Sequence, residues 1–362
     1  MRILLVAHLK RAIFPRQTAS RSRIIYELAR GLVARGHEVS ILGTGDSRVS
    51  GVRIIPVLPK ALVFSGPFEN EFYSHTAYLA ILTRRLAEIG DSFDVIHNHA
   101  YPEFFPLFAL EHLKTPVLTT LHAQGTLEFD EALSTFPSAH FVALSRAHVK
   151  SFQKTKIAHV VPNGIDVNLF RFQKKKEDYL LWIGRLAKAR DARGNFLDPK
   201  GVRWAIRLAR ETGARLVLSG NVEDREFFEK DVKPFLNKKI QWVGGVSSEQ
   251  PLSKREVARL MGGARAFLMT INWAEPFGLV MAEAFSCGTP VIGFDRGAVK
   301  EIVADGKTGF VVSPRAGIAG LKRALSHVHE IHPEECRARA VALFSTERMV
   351  REYENIYKKL CA

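Results

Sequence analysis

The chain has 362 residues, of which 46% are hydrophobic, and this length predicts two globular domains of similar size because one ordinary core would be too large. The net charge is +15, from 52 Lys and Arg against 37 Asp and Glu, and it favours acidic partners such as phosphates, anionic acceptors or membrane headgroups. The basic residues are dispersed and form no nucleic-acid recognition motif, so we expect no nucleic-acid function.

The cellular compartment is predicted from the lack of recognisable targeting segments and from the spacing of the cysteines. No apolar run reaches membrane-spanning length, and the N-terminus lacks the long apolar core of a signal peptide. Cys287, Cys336 and Cys361 form no C-x-x-C pair, which argues against a disulfide framework and a structural zinc site. We therefore expect a cytoplasmic protein with reduced cysteines.

The first third of the chain alternates between strand and helix patterns. Residues 2–7 and 37–43 are apolar runs on either side of a stretch with helical spacing, which predicts a β-α-β opening. More apolar runs follow between helical stretches, at residues 52–58, 95–97, 116–120 and 140–143. This alternation predicts a doubly wound parallel sheet, and hence a Rossmann-like N-terminal domain. The loop after the first strand has no G-x-G-x-x-G, which argues against a dinucleotide dehydrogenase.

Three histidines lie at or just after the ends of predicted strands, at the sheet edge where parallel sheets bind ligands. His122 follows one strand, and it is interpreted either as a site residue or as a strand-end histidine bonded to backbone. His97 and His99 are two apart and would point the same way on an extended segment. With His122 they could resemble a metal trio, but no carboxylate motif completes one, so we expect no metal.

Two segments rich in aromatic residues, 63–73 and 101–108, have two interpretations. Most of the rings fit a packed core. Exposed rings beside basic residues would instead suit a lipid-linked or aromatic acceptor.

A turn and a polar run divide the chain. Asn163-Gly164 and Asp166 supply turn chemistry, and the polar residues 171–178 predict a linker before a new apolar strand at 179–184. We therefore predict an N-terminal domain at 1–172, a second Rossmann-like domain at 173–345, and a final helix at 346–362.

Cations follow the first strand of the second domain. Arg185 comes directly after that strand, and Lys200 precedes the next helix. Arg can engage two phosphate oxygens and Lys adds a mobile point charge, although isolated cations are usually surface charges. The charged segment between them, residues 187–199, is hypothesised to be a mobile lid.

The segment from Glu275 to Glu283 indicates an anion site. Pro276 suits the entry to a helix, so the amides of three residues would point outward at its positive end: Phe277, Gly278 and Leu279. Two carboxylates would then flank a phosphate, which suits a ligand that joins phosphates to sugars.

The run E-P-F-G-L-V-M-A-E-A from Glu275, followed by C-G-T-P-V-I-G from Cys287, resembles the signature of family 4 glycosyltransferases. The segments G-R-L at 184–186, K-G at 200–201 and P-N-G-I-D at 162–166 also match this family. The resemblance implies the GT-B fold, an α/β architecture of two Rossmann-like domains that face a central cleft, with a C-terminal helix that returns to the N-terminal domain.

The resemblance also implies roles for individual residues. Arg185 and Lys200 would hold the donor diphosphate, Glu275 the sugar hydroxyls and Glu283 the ribose. His122 would face the donor sugar near the reacting carbon, and the donor base would lie near strand ends at Gly220, Val243 and Gly244. The family's glycine pair after the first strand is missing here, so the side chains of Arg16, Gln17 or Ser20 are expected to occupy that space.

From this resemblance we predict a retaining glycosyltransferase that uses a nucleotide sugar, with a UDP-sugar as the commonest family donor. Neither a metal nor a cofactor is required, because cations and helix amides would stabilise the diphosphate. The acceptor is not identified; the charge favours an anionic or lipid-linked molecule, with peripheral membrane contact. Two alternatives stay open, namely a nucleotide-sugar 2-epimerase of the same architecture and a non-catalytic nucleotide-sugar-binding protein.

Overall fold

The computed structural model describes residues 1–15, 17–247 and 252–362, which form two compact units. The first unit comprises Met1–Gly164 and Thr346–Ala362, and the second is Ile165–Ser345. The chain therefore passes from the first unit to the second after Gly164. The polar run had predicted this boundary at residue 172. The cause of the difference is that Phe170, just before the polar run, is buried and its carbonyl accepts a 2.6 Å hydrogen bond from Ser286, so the chain already packs as part of the second unit before the run begins.

The first unit contains a parallel sheet with the strand order β3-β2-β1-β4-β5-β6-β7. Its strands are β1 (Arg2–Val6), β2 (Glu38–Thr44), β3 (Val52–Leu58), β4 (Val95–Asn98), β5 (Val117–Thr120), β6 (His140–Ala143) and β7 (His159–Val160). Its first helices are α1 (Ser20–Ala34), α2 (Glu71–Ile89), α3 (Leu127–Ser134) and α4 (Arg146–Val149). The central strands are buried along nearly their whole length, because a parallel sheet is covered on both faces.

The second unit repeats this design with the strand order β10-β9-β8-β11-β12-β13. Its strands are β8 (Leu180–Ile183), β9 (Leu216–Ser219), β10 (Ile240–Trp242), β11 (Ala266–Met269), β12 (Val291–Phe294) and β13 (Gly309–Val312). Its helices are α5 (Val202–Thr212), α6 (Arg225–Asp231), α7 (Lys254–Gly263), α8 (Leu279–Ser286), α9 (Val299–Ile302), α10 (Gly317–His327) and α11 (Pro333–Phe344). Two parallel α/β units are the predicted fold class.

Each sheet has one position where the strand order reverses. In the first unit β1 lies beside β4, and in the second β8 lies beside β11. Loops that leave neighbouring strands at such a point diverge to opposite faces and leave a crevice at the carboxyl edge, which is where ligands of this fold class bind. The loops after β8 and β11 contain Arg185 and Glu275.

The last helix, α12 (Thr346–Leu360), belongs to the first unit, although the chain reaches it from the second. Its buried face includes Val350, which packs against Gly31 of α1 so closely that a Cβ at Gly31 would collide with it. Glu354 anchors the same helix, because it accepts a 2.7 Å hydrogen bond from Arg35 and contacts His37 at 3.2 Å.

Helix α8 lies inside the second unit, and seven of its eight residues are buried. Its C-terminal end is fixed by Ser286, whose hydroxyl bonds Phe170, and by Arg337, whose guanidinium donates to Ser286 and Phe170. A helix held this firmly places the groups at its N-terminal end with little freedom.

The aromatic segments of the first unit divide between core and surface. Phe68 and Phe104 pack against the core, whereas Phe64, Phe72 and Tyr73 are exposed. In the described part of the chain, no helix is both long and apolar enough to cross a membrane.

Candidate functional site

Lys200, Glu275 and Trp273 form a compact cluster in the second unit. Lys200 Nζ lies 2.7 Å from a carboxylate oxygen of Glu275, and the same oxygen accepts a 3.1 Å hydrogen bond from the Trp273 indole. The Lys200 ammonium also lies 4.6 Å from the centre of the Trp273 ring. The side chains of Lys200 and Glu275 are 23% and 13% exposed, so the pair is largely but not fully removed from water.

The two loops that supply this pair are bonded to each other. Asn272 donates its side-chain amide to Asp198 at 2.8 Å, and Thr270 donates its hydroxyl to Gly201 at 2.7 Å. Gly201 has a φ of 72°, and a Cβ there would collide with the Thr270 carbonyl oxygen. Only glycine permits this approach of the two backbones, which brings the residue before it, Lys200, next to Glu275.

Helix α8 begins beside Glu275 with no side-chain cap. Its N-cap is Gly278, in the left-handed region at φ 84°, and a Cβ on Gly278 would lie 3.3 Å from Glu275 Cγ. The helix starts at Leu279, and Pro276 lies just ahead of it, at its entry. The amides of Gly278 and Leu279 therefore lie at the positive end of the helix, where an anion is stabilised.

Phe277 and Glu283 are both interior residues. Phe277 is 1% exposed and packs edge-on against Phe344, which fixes the backbone just before the helix. Glu283 is also 1% exposed and lies just over one turn into α8.

Helix α5 differs from α8 at its N-terminus. The Asp198 carboxylate accepts hydrogen bonds from the amides of Gly201, Val202 and Arg203 at 2.8 to 3.0 Å. Burial raises the pKa of Asp198, although these amides act in the opposite direction. Since a carboxylate already occupies the end of α5, α8 is the better anion site of the two.

The strand ends next to this cluster are closely packed. A Cβ on Gly220 would collide with the Gly184 carbonyl, and one on Gly184 would lie 3.2 Å from Lys200 Cβ. Val243 is tied to β9, because its carbonyl accepts a 2.8 Å hydrogen bond from Ser219, and Gly244 follows it at φ 100°. Gly220 therefore lies against Gly184, and Gly184 in turn lies close to Lys200 Cβ.

Arg185 follows β8 and is exposed. Its guanidinium pairs with Glu223 at 3.4 Å, and 56% of its side chain is accessible to water. An exposed ion pair of this length is weak, so the guanidinium can exchange its partner at small cost.

Residues 187–199 form a turn that is packed on helix α6. The backbones of Arg190 and Phe196 form an antiparallel β-bridge across this turn, and the Arg190 guanidinium lies 3.9 Å from the centre of the Phe196 ring. The guanidinium also donates a 2.7 Å hydrogen bond to Glu226 of α6. These contacts join the segment to α6 at the surface, and the mobile lid that its charge suggested stays a prediction.

His122 lies in the first unit, after β5. Glu103 organises its loop, because one Glu103 oxygen accepts hydrogen bonds from the amides of His122 and Ala123 at 3.1 and 3.3 Å. The same oxygen lies 2.7 Å from the Arg21 guanidinium. Burial, with a contribution from Arg21, lowers the pKa of His122 well below its usual value, so the ring is neutral at pH 7.

The rings of His97, His99 and His122 contact each other in a row and do not converge on one point. His99 lies between its two neighbours, with nitrogen to nitrogen distances of 3.2 Å to His97 and 2.9 Å to His122. Among the described residues, no group of three His, Cys, Asp or Glu side chains could hold a metal ion.

In the loop after β1, the structure places two of the three side chains that were expected to fill the space of the missing glycines. Gln17 is buried and turned inward: it donates to Ala12 at 3.0 Å, and its side-chain oxygen accepts the amides of Thr18 and Ala19. Ser20 is the first residue of α1. Arg16 lies outside the described residues.

Sequence reasoning did not single out Trp273, Asn272, Glu223 or Glu103. Trp273 had a local signal, because it lies two residues before Glu275. Glu103 lies within an aromatic run, where its neighbours drew attention to the rings. Asn272 and Glu223 had no signal, since their partners are far away in sequence.

Two family models together match most of the chain. The model described as Glycosyltransferase Family 4 matches residues 22–169, and the one described as Glycosyl transferases group 1 matches residues 172–340.

Curated relatives align over nearly the full length. N-acetyl-alpha-D-glucosaminyl L-malate synthase of Bacillus anthracis is 25% identical over 91% of this chain and 91% of its own. Phosphatidyl-myo-inositol mannosyltransferase of Mycolicibacterium smegmatis is 26% identical over 90% of this chain and 84% of its own.

Solved structures share the fold at lower identity. Sucrose-phosphate synthase of Thermosynechococcus elongatus has a TM-score of 0.79 at 17% identity and covers 99% of both chains. Anabaena HepE, solved in complex with UDP-glucose, has a TM-score of 0.67 at 15% identity and covers 99% of this chain and 100% of its own.

Proposed function

The chain belongs to glycosyltransferase family 4, with the GT-B fold, and we propose that it moves a sugar from a UDP-sugar donor to an acceptor hydroxyl with retention of configuration. In this reaction the bond between the sugar anomeric carbon and the diphosphate breaks. The acceptor oxygen forms its bond on the same face, and its proton goes to an oxygen of the leaving diphosphate.

The observation that carries the proposal is the Lys200–Glu275 pair beside the uncapped start of α8. A site for a nucleotide sugar needs hydrogen-bond donors that contact the diphosphate, next to hydrogen-bond acceptors that contact the sugar hydroxyls. The ammonium of Lys200 and the amides at Gly278 and Leu279 supply the donors, and the carboxylate of Glu275 supplies the acceptor. The three elements lie within contact distance at one edge of one sheet.

The cations are proposed to stabilise the charge that develops on the leaving group. Lys200 is held by Glu275 and Trp273 before any donor arrives, so little reorganisation is needed during the reaction. Arg185 would exchange Glu223 for the diphosphate, because its present ion pair is exposed and long.

The remaining donor contacts are assigned by position. Glu283 is proposed to hold the ribose, and the base is proposed to lie by the strand ends at Gly220, Val243 and Gly244. His122 is proposed to orient the donor sugar as a neutral ring.

An anionic or lipid-linked acceptor is proposed for the first unit. Its exposed aromatic residues, Phe64, Phe72 and Tyr73, can contact an apolar chain, and the net charge of +15 attracts an anionic one. A cytoplasmic location with peripheral membrane contact is part of this proposal. Flotation with vesicles that contain anionic lipid tests it, and failure to bind them would dismiss the membrane contact.

Metal independence is also proposed, because Lys200, Arg185 and the α8 amides supply positive charge where a divalent cation would otherwise be needed. Turnover of the donor should survive EDTA. Loss of activity in EDTA that is restored by a divalent cation would overturn this part.

The test of donor binding is thermal stabilisation of the purified protein by UDP, GDP, ADP and their sugar conjugates. A ligand at 100 times its dissociation constant should add roughly 2.7 kcal/mol of stability. We expect selective stabilisation by uridine nucleotides, and a large loss of it in Glu283→Gln, which preserves the shape of the buried side chain. Selective stabilisation by guanosine or adenosine nucleotides would show that the donor is not a UDP-sugar. No stabilisation by any nucleotide would refute the proposed donor site.

A further inference from the structure

A cavity of about 540 Å³ lies in the second unit, lined by residues of the segment 168–173 and of helix α7. Its volume is typical of sites for small ligands. Three of the residues that line it are arginines, Arg171 from the segment and Arg255 and Arg259 from α7. We call this feature the arginine cavity. Scattered cations are ordinary in a protein of net charge +15, but three that line one cavity concentrate positive charge in one place.

The charge of the arginine cavity is not balanced by ion pairs. None of the three arginines forms an ion pair with a residue that the structure describes. Arg171 Nε makes a long hydrogen bond, of 3.4 Å, to the Asn168 carbonyl. Glu256 is adjacent to Arg255 in α7, but its carboxylate accepts the Ser253 amide at 2.8 Å as part of the helix cap.

Acidic side chains of the neighbouring segments have other partners as well. Glu334 of α11 pairs with Lys174 at 2.9 Å. Asp178 pairs with Arg265 at 3.1 Å. The cavity is therefore a place where an anion from solution meets cations that no carboxylate contacts within the described part of the chain.

Helix α7 does not gain stability from its two arginines. Arg255 lies in the first turn, where the helix dipole disfavours a cation. Arg259 is four positions further on, so the two like charges lie on the same side of the helix and repel each other. Both side chains are exposed, which keeps the cost small, but its sign is unfavourable. The stability of α7 therefore does not explain these residues.

The cavity also adjoins the C-terminal end of α8, where carbonyl groups attract cations. Two other residues already meet that demand. Lys176 donates to the Cys287 carbonyl at 2.9 Å, and Arg337 donates to the Ser286 carbonyl at 3.0 Å. The arginines of the cavity are therefore not needed to complement α8 either.

The composition of the cavity indicates the chemistry of a ligand. Arginine binds phosphate through two parallel hydrogen bonds, and guanidinium groups from two elements suit its several oxygens. A phosphate alone would fill only a small part of the volume. Phe172 and Leu169 also line the cavity, and 38% of Phe172 is exposed. The Phe172 ring is held in place by Gly288, where a Cβ would collide with it. These walls suit an organic group joined to the phosphate.

We propose that the arginine cavity binds a small soluble organic phosphate, at a site separate from the donor site. The candidate donor site lies at the N-terminal end of α8, whereas the cavity adjoins the C-terminal end of the same helix. Gln173 joins the cavity wall to that end, because its amide donates to the Cys287 carbonyl at 3.1 Å. This proposal goes beyond the proposed function and does not depend on it.

Isothermal titration at low salt with glucose 1-phosphate, adenosine monophosphate and inorganic phosphate tests the site. The parent protein is the full chain with Lys200→Met, which disables the proposed anion site at α8. We expect one of the two organic phosphates to bind at least about tenfold more tightly than inorganic phosphate. Adding Arg255→Gln and Arg259→Gln should weaken that binding at least about tenfold, as for the loss of charged hydrogen bonds. No binding of either organic phosphate, or unchanged affinity in this double variant, would overturn the proposal.

Arg207→Gln with Arg210→Gln is the matched control, because it removes the same charge from an exposed face of α5 in the same unit. Arg207 donates to Glu211 at 2.8 Å, and Arg210 lies over the Phe235 ring at 4.9 Å. This control should bind the organic phosphate as tightly as the parent. Equal weakening in both double variants would mean that net charge alone attracts the ligand, and would refute the site.

Urea unfolding without ligand separates a binding role from a structural one. Because Arg255 and Arg259 repel each other and oppose the helix dipole, their replacement by Gln should keep the unfolding midpoint of the second unit or raise it slightly. A lower midpoint would show that the two arginines support the fold, and would contradict their assignment to a ligand.

Lipid headgroups are another source of phosphate. In flotation with vesicles that contain anionic lipid, the Arg255→Gln/Arg259→Gln variant and the α5 control should behave alike. Vesicle binding that is lost only in the former, without binding of either organic phosphate, would overturn the soluble ligand. A failure of the proposed function is seen separately, as the absence of stabilisation by nucleotides in the protein with Lys200 intact.

Discussion

At the scale of single residues, the candidate site balances opposite charges before any ligand is present. Lys200 pairs with Glu275, and Arg185 pairs with Glu223. The first pair is short and mostly buried, so it fixes geometry. The second is long and exposed, so it can exchange its partner. The site thus combines one rigid cation with one adaptable cation.

Replacing Lys200 by Met tests the rigid cation. The substitution removes the charge but preserves much of the side-chain volume, and we expect kcat to fall about 100-fold, as for loss of one charge-stabilising donor. Steady-state kinetics with the nucleotide sugar measure this.

Lys230→Met is the matched control, because Lys230 belongs to the same unit but forms an exposed pair with Glu226, one turn away in α6. Its kinetics should not change. Similar activity of both variants would remove Lys200 from the proposed site.

At the scale of elements, the loops before α5 and α8 determine the site. Asp198 caps α5 and accepts the first amides of that helix, whereas α8 starts at Gly278 with no side-chain cap. The two loops are held together at Gly201 and Thr270. The anion site therefore depends on a close approach of backbones.

Gly201 and Gly194 allow this approach to be tested by a matched pair of substitutions. Both have positive φ, 72° and 80°, so alanine is strained by about 1 to 2 kcal/mol at either position. At Gly201 the new Cβ would also collide with the Thr270 backbone, whereas Gly194 has open space. We expect Gly201→Ala to destabilise the second unit by clearly more than Gly194→Ala.

Urea unfolding followed by tryptophan fluorescence measures this difference. All four tryptophans, Trp182, Trp204, Trp242 and Trp273, lie in the second unit, so the signal reports that unit alone. Equal midpoints for the two variants would show that the loop contact at Gly201 is not required.

At the scale of the whole molecule, the chain starts and ends in the same unit. Residues 346–362 pack with the first unit after the second has been completed. Glu354 joins α12 to Arg35 and His37. Within α12 itself, Lys358 also contacts the Glu354 carboxylate, at 3.0 Å. Acid should therefore loosen the C-terminal helix.

The pH dependence of Glu354 has a definite sign. Burial by itself would raise the pKa of Glu354, but hydrogen bonds and charge from Lys358, Arg35 and His37 lower it to about 2, from 4.5 in the unfolded chain. A carboxyl with a lowered pKa stabilises the folded state fully above pH 4.5, and this contribution is lost as the pH falls towards 2. Glu354→Gln should cost about 2 kcal/mol at pH 7, and the difference should shrink through that window.

Hydrogen exchange at residues 346–360 measures this effect, because tryptophan fluorescence does not report the first unit. Glu352→Gln is the control, since the ion pair of Glu352 within the described part of the chain is with Arg348 of the same helix. A difference between Glu354→Gln and the unmodified protein that stays constant from pH 7 to pH 3 would contradict the prediction.

Much of the fold was predictable from the sequence. The apolar runs became parallel strands because a sheet covered on both faces requires continuous hydrophobic residues, and the two-unit α/β prediction is confirmed. The family signature from Glu275 to Glu283 gave the family, which the two family models confirm. The roles of individual site residues stay predictions.

The sequence by itself determined the local elements and the residues that follow each strand, because periodicity and turn chemistry act over a few positions. Only the tertiary structure decided which of them meet. It paired Lys200 with Glu275, turned Gln17 inward, and moved the crossing to Gly164, because the partners in each case are set by packing. It also placed Tyr357 beside His97, although 260 positions separate them in the chain. Such contacts depend on how helices and sheets pack, and no short stretch of sequence encodes them.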